Sequence, residues 1–287
     1  MKSLTLKKMF ALMMVLVMVL GCFAGCGGGE AEEETGGDAA VTDTSLQDIL
    51  DKGVITVAIS PDYAPYEYLD MMTGEIKGSD IVLAQYIADE LGVELQIDQM
   101  SFESCLAAAE LGTSDLAISS LSWNEDRAAV MELSSYYNMD TSIAQTILVK
   151  ADEVDNYKTA EDFAGKKLAA QNGTTQWNLT TAQIPDVDAQ PISLMNDGIL
   201  MLMEGKVDGL ACQTDVAQSF ADNYSEVAVP EFLFDFEELG NVVASKKGNT
   251  ALIEKVSEII DKQEAEGLYA EWIAAAIEDA DAQGLMD

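Results

Sequence analysis

From Val54 onward, short apolar runs rich in β-branched residues alternate with longer segments whose apolar residues recur at helical spacing. That alternation leaves very few architectures open. Val54–Ile59, 93–97 and 116–118 read as strands, and 81–91 and 106–111 as helices between them. A strand over 146–149 opens a second set, in which Thr159 to Asp162 looks like a helix start. Strands over 167–170, 189–192 and 209–212 follow, interleaved with helices over 176–182, 195–203 and 216–221. One more strand, 241–245, precedes a long amphipathic helix, Thr250–Glu266, and a last one over 268–276. Strand–helix units of this length build mostly parallel sheets with helices on both faces. Because no turn-rich linker separates the two sets, the expectation is two doubly wound α/β lobes joined by two crossing hinge strands. The lobes are expected to comprise 46–141 with 241–287, and 142–240.

The segment before this body has a different character. Lys2, Lys7 and Lys8 precede an unbroken apolar run over 9–20, too short to span a bilayer and suited to a secretory signal peptide. Cys26 follows Phe23-Ala24-Gly25 and Cys22 follows Val19-Leu20-Gly21, and both resemble lipoprotein cleavage sites. The small pair Ala24-Gly25 and the Gly27-Gly28-Gly29 behind it favour Cys26 as the lipidated residue. The expected order is a signal peptide over 1–25 and a flexible tether over 26–45, rich in Gly, Glu, Thr, Asp and Ala and without apolar periodicity. As a coil this stretch reaches roughly 25 Å. The expected location is the outer face of the cell membrane, held by the lipid, or the periplasm.

Composition removes several function classes. There is no histidine, which excludes histidine-ligated metals and a histidine general base. Cys105 and Cys212, the cysteines of the body, lack metal spacing and support no disulfide framework. The formal net charge of −36 repels nucleic acid and anionic lipid. No metal and no cofactor is implied.

In open α/β sheets, ligands collect beyond the carboxyl ends of the strands, where backbone amides and helix N-termini gather. Four loops hold that position: Ser60-Pro61-Asp62-Tyr63-Ala64-Pro65-Tyr66-Glu67, Ser101-Phe102-Glu103, the run from Ser119 to Arg127, and Gln171-Asn172-Gly173-Thr174-Thr175. Arg127 is the only arginine of the chain. It either pairs with one of the protein's own carboxylates or grips a ligand carboxylate through two parallel hydrogen bonds. Hydroxyls and a glycine nearby complete what a carboxylate needs, and the aromatic faces suit the remainder of a small ligand.

On these residues the chain resembles the solute-binding proteins for polar amino acids that serve bacterial ABC importers. The resemblance spans Gly53 to Ala276 and rests on Asp62-Tyr63-Ala64-Pro65-Tyr66-Glu67, Gly78-Ser79-Asp80-Ile81 with Leu83-Ala84, and Ser119-Ser120-Leu121-Ser122 with Arg127. Ala169 to Thr175 and Gly267-Leu268-Tyr269 with Trp272 extend it. It implies a periplasmic-binding-protein fold that closes like a hinged clamp over an amino acid or related carboxylate, works as a monomer and delivers its ligand to an ABC permease. Carried over by position, Arg127 holds the ligand carboxylate with Ser122, Ser120 and Thr175, and Leu121 and Thr174 are further expected ligand contacts. Tyr63 and Phe102, with Tyr66, enclose the side chain. Ser60 and Gln213 stand where the family usually has acids, so Asp215 is the alternative partner for the ammonium, and a neutral polar or apolar ligand is expected. Two other readings share the fold: an enzyme of the cyclohexadienyl or arogenate dehydratase kind, which requires an acid such as Glu67 or Glu103 in the cleft, and a sensor or adhesin without transport.

Overall fold

The computed structural model describes residues 43–282 except 71, 141 and 238. The expected signal peptide, both candidate lipidation cysteines and most of the expected tether lie outside these residues. The first element among the described residues is a helix not anticipated from the sequence, Ser45–Lys52, which ends at the left-handed Gly53 and leads into the strand Val54–Ile59.

The first sheet runs in the order Glu94–Gln99, Val54–Ile59, Leu116–Ala117, Ala244–Lys246, Met131–Leu133. Its first three strands are parallel, with Val57 opposite Ile97 on one side and Leu116 on the other. Because side chains alternate across a strand, Ile55, Val57 and Ile59 enter one core with Leu83, Ile87, Val256 and Ile260. Ala58 faces the opposite core with Phe102, Cys105 and Ala117. Helices therefore cover both faces of the sheet.

The second sheet repeats the plan in the order Asp188–Ile192, Lys167–Gln171, Gly209–Gln213, Gln145–Lys150, Val227–Ala228. Alternation again splits the strands between two cores. Leu148, Ala169, Leu210 and Cys212 pack with Met195, Ile199 and Val216, while Ile147, Leu168, Ala170 and Ala211 pack with Phe163, Leu179 and Phe232. Cys105 and Cys212 are buried free thiols, one in each half.

Neither sheet is wholly parallel. Ala244–Lys246 pairs antiparallel with both its neighbours, as does Gln145–Lys150 in the second sheet. These are the strands beside the two passages of the chain between sheets, and a chain that crosses over enters its new sheet running the other way. The passages meet at a bridge between Tyr137 and Asn241, whose backbones exchange N–H···O bonds of 2.9 and 2.8 Å. Gly240 beside it has φ +119°, and a Cβ there would press on the Tyr137 carbonyl. The segment after Thr159 forms a 3-10 turn, Ala160–Phe163, closed by a Thr159–Asp162 capping box.

Between the first strand and the helix Ser79–Leu91 lies a small antiparallel sheet, Asp62–Tyr63, Glu67–Leu69 and Ile76–Lys77. It is anchored by Gly78, whose φ of +123° brings the backbone so close to Tyr66 that any Cβ would collide with the Tyr66 carbonyl. Asp80 N–H then bonds that carbonyl at 2.9 Å. The helix start is thereby fixed against Glu67.

Candidate functional site

A cavity lies where the C-terminal ends of strands from both sheets converge. Ser60 and Asp62 follow the strand Val54–Ile59, Ser119, Ser120 and Ser122 follow Leu116–Ala117, and Gln171 and Gln213 end their own strands. Thr174 caps the helix Thr175–Gln183, its Oγ1 accepting from Trp177 N–H at 3.1 Å and donating to the Gln171 carbonyl at 2.7 Å. The start of that helix faces the cavity, a favourable place for an anion.

Arg127 comes from a six-residue helix, Glu125–Val130, whose N-cap Asn124 accepts from the Arg127 N–H. The side chain is buried; it donates to the Ser122 carbonyl and, at 3.1 Å, to the Gly173 carbonyl. Its guanidinium carbon lies 5.5 Å from the centre of the Phe102 ring. Among the described residues Arg127 is the only cationic side chain on the cavity wall.

Four buried side-chain oxygens on this wall have no hydrogen-bond partner: Ser120 Oγ, Thr175 Oγ1, Gln213 Oε1 and Glu67 Oε2. Buried polar atoms are nearly always paired, so such a cluster in one cavity marks a surface shaped for a polar ligand. Two are hydroxyls able to donate to a carboxylate, and two are acceptors suited to a cation.

Two acids complete the wall. Asp62 accepts from Ser60 Oγ at 2.7 Å, from Met195 N–H at 2.9 Å and from Gln171 Nε2 at 3.1 Å, the last two reaching it from the second sheet's elements. Burial raises its carboxyl above the usual range, and these donors oppose the shift. Glu67 is 1% exposed and accepts from Ser119 Oγ at 2.9 Å. Burial and then the charge of Asp80 push its carboxyl well above the ordinary value.

A sequence profile of the bacterial extracellular solute-binding proteins, family 3, matches residues 55–276. The chain belongs to this family. It is 25% identical to ABC transporter arginine-binding protein 1 of Escherichia coli (strain K12) over 75% of this chain and 87% of that protein. It is also 25% identical to the ABC transporter glutamine-binding protein of Bacillus subtilis (strain 168), over 93% and 98% of the two chains. Among solved structures, an amino acid ABC transporter substrate-binding protein from Streptococcus pneumoniae, bound to L-arginine, is 32% identical with a TM-score of 0.77, covering 84% of this chain and 99% of its own. The two-lobed fold is that of these binding proteins.

In this family 3 protein the structure brings together Ser60, Tyr63, Phe102, Ser120, Ser122, Arg127, Thr174, Thr175 and Gln213 on one cavity wall. Three expected contacts lie elsewhere. Tyr66 is fully buried among the second sheet's core and donates its hydroxyl to Asp215. Asp215 sits one residue into the helix Thr214–Asn223, which turns it away from Gln213 and onto a different pocket beside the crossing segments. Leu121 packs into the core with Phe102 and Val242, and its carbonyl accepts from Val242 N–H at 2.8 Å. Asp62 and Gln171 belong to loops that the sequence places at the site without singling them out as contacts, Gln176 is not foreseen there, and Met195, packed in the second sheet's core, also lines the cavity. Glu67 was visible only as an acid for an enzyme.

Proposed function

We propose that this chain is an extracellular receptor that captures a free amino acid with a cationic side chain in the cavity between its two sheets and hands it to an ABC importer. The carrying observation is the set of orphaned oxygens around Arg127 together with the buried Glu67 and the half-buried Asp62. Arg127, Ser120 and Thr175 receive the carboxylate, and Gln213 Oε1 accepts from the α-ammonium. Tyr63 and Phe102 flank the side chain, whose charge is taken by Asp62 and Glu67. The sequence pointed instead to a neutral ligand, because Ser60 and Gln213 replace acids; the folded chain supplies acids from Asp62 and Glu67. The arginine-bound relative supports the same class of ligand.

The lobes we assign are 46–141 with 241–287, and 142–240, which supports closure about the Tyr137–Asn241 bridge. Ligand bridging both lobes favours the closed state by its differential affinity. Micromolar capture needs about −8 kcal/mol, within reach of a bidentate guanidinium contact, several charge-assisted bonds and aromatic burial. We further propose a lipid tether at Cys26, or else at Cys22. A thermal-shift screen of the common amino acids and small carboxylates tests the ligand class: arginine, lysine or ornithine is expected to give the largest stabilisation, and a response confined to neutral amino acids refutes it.

A further inference from the structure

Glu67 begins the strand Glu67–Leu69, on the cavity wall, and Asp80 lies in the first turn of the helix Ser79–Leu91. Both are fully buried and held side by side: Asp80 N–H bonds the Tyr66 carbonyl just before Glu67 at 2.9 Å, and the adjacent Ser119 and Ser120 donate to Glu67 and Asp80 respectively. Two acids this close in a low dielectric do not both ionise, so one of them holds a proton. Asp80 already accepts three donors: Ser120 N–H at 2.7 Å, the Tyr137 hydroxyl at 3.0 Å and the Tyr269 hydroxyl at 2.7 Å. Burial raises the Asp80 carboxyl, but these three donors oppose the shift, whereas Glu67, with the Ser119 hydroxyl as its donor, is pushed up well above the ordinary range. The proton therefore resides on Glu67.

Titratable groups face the pair from several elements. From the loop Asp62–Tyr63 the pair faces the Asp62 carboxyl and the Tyr63 hydroxyl, and from the helix Phe102–Leu111 the Cys105 thiol. Tyr137 from the crossing segment and Tyr269 from the C-terminal helix face Asp80. Across the cavity stands Arg127, its guanidinium donating to the Ser122 and Gly173 carbonyls.

We propose that Glu67 and Asp80 share one proton in the ligand-free receptor and that the cationic side chain of the ligand displaces it, so that capture releases a proton. The inference rests on the cationic amino acid reading above. On binding, the O–H bond of Glu67 breaks, the proton passes to a buffer base, and the ligand's guanidinium or ammonium donates to the carboxylate left behind. Affinity for a cationic ligand then rises with pH by up to about tenfold per unit, between the bound-state and free-state titration of Glu67. A neutral ligand lacks that slope.

Calorimetric titration of the protein with L-arginine in phosphate and in Tris at one pH reads the proton count from the difference in heat. About one proton released per ligand is expected, with none released by Glu67→Gln titrated to saturation at higher ligand concentration. Arginine binding with equal heats after correction in the two buffers overturns the inference, and the wild-type comparison decides this even if the variant does not fold. A protein that binds neutral amino acids and not arginine refutes the cationic reading and, with it, proton displacement by the ligand. The shared proton is read separately in the infrared at neutral pH: a protonated-carboxyl C=O stretch lost in Glu67→Gln supports it, and no lost band overturns it.

Discussion

Replacing Arg127 by lysine keeps the charge and removes the fork. In the folded chain the guanidinium donates to two carbonyls, Ser122 before its helix and Gly173 in the second half of the molecule. A ligand carboxylate placed against it receives two parallel charge-assisted bonds; an ammonium restores the point charge and only one of them. A hydrogen bond to a charged group contributes about 1.5–3 kcal/mol. At about 1.4 kcal/mol per decade, Arg127→Lys is expected to raise the Kd for L-arginine by roughly 10- to 150-fold. The lost bond to Gly173 also loosens the closed form, which places the effect toward the upper end. Isothermal titration gives the number, and circular dichroism shows that the fold persists. A Kd within about threefold of wild type, where less than 1 kcal/mol is lost, refutes the carboxylate clamp.

Three further outcomes follow from other parts of the molecule. Gly78→Ala places a Cβ against the Tyr66 carbonyl at φ +123°, so unfolding in urea should show a loss of about 3 kcal/mol or more; an unchanged midpoint contradicts the tight approach of helix and loop. Burial raises the carboxyls of Asp62, Glu67, Asp80 and Asp215 in the folded state, so each contributes stability that is present at low pH and is lost as pH rises through its folded value. Asp43, Asp140 and Asp279 are lowered and lose their contribution only below the ordinary carboxylate range. The ligand-free thermal midpoint should therefore rise as pH falls from neutral toward that range, and a monotonic fall contradicts it. Mass spectrometry of membrane-extracted protein should show a diacylglyceryl adduct at Cys26, or at Cys22; an unmodified mature chain removes the tether.

The two-sheet plan was legible because strands of five or six residues carry a clean apolar period and alternate with helices of nine or more. The small sheet 62–77 was not, since its strands of two and three residues are too short for any period. Helix Glu125–Val130 was hidden as an acidic half-turn in a motif read for its arginine. Within the site, Arg127, Ser120, Thr175 and Gln213 could be placed by position along strand ends. Asp215 misled because two residues of separation say nothing about direction: Gln213 ends a strand at the cavity, while Asp215 has turned with its helix toward Tyr66. The acids that set the proposed ligand charge were invisible for a related reason. Asp62 and Glu67 are two among 51 acidic residues, and only the folded chain sets both on the cavity wall, Glu67 beside the close approach of Gly78 and Asp62 under the donors Ser60, Gln171 and Met195.

The central claim is that Asp62 and Glu67 make this cavity a site for a cationic amino acid. Isothermal titration of the purified protein with L-arginine, L-lysine and L-glutamine tests it most directly. The account predicts one site per chain and binding of arginine or lysine at least about tenfold tighter than glutamine, a difference of about 1.4 kcal/mol. Glutamine bound as tightly as either, or no binding of any of the three, contradicts it.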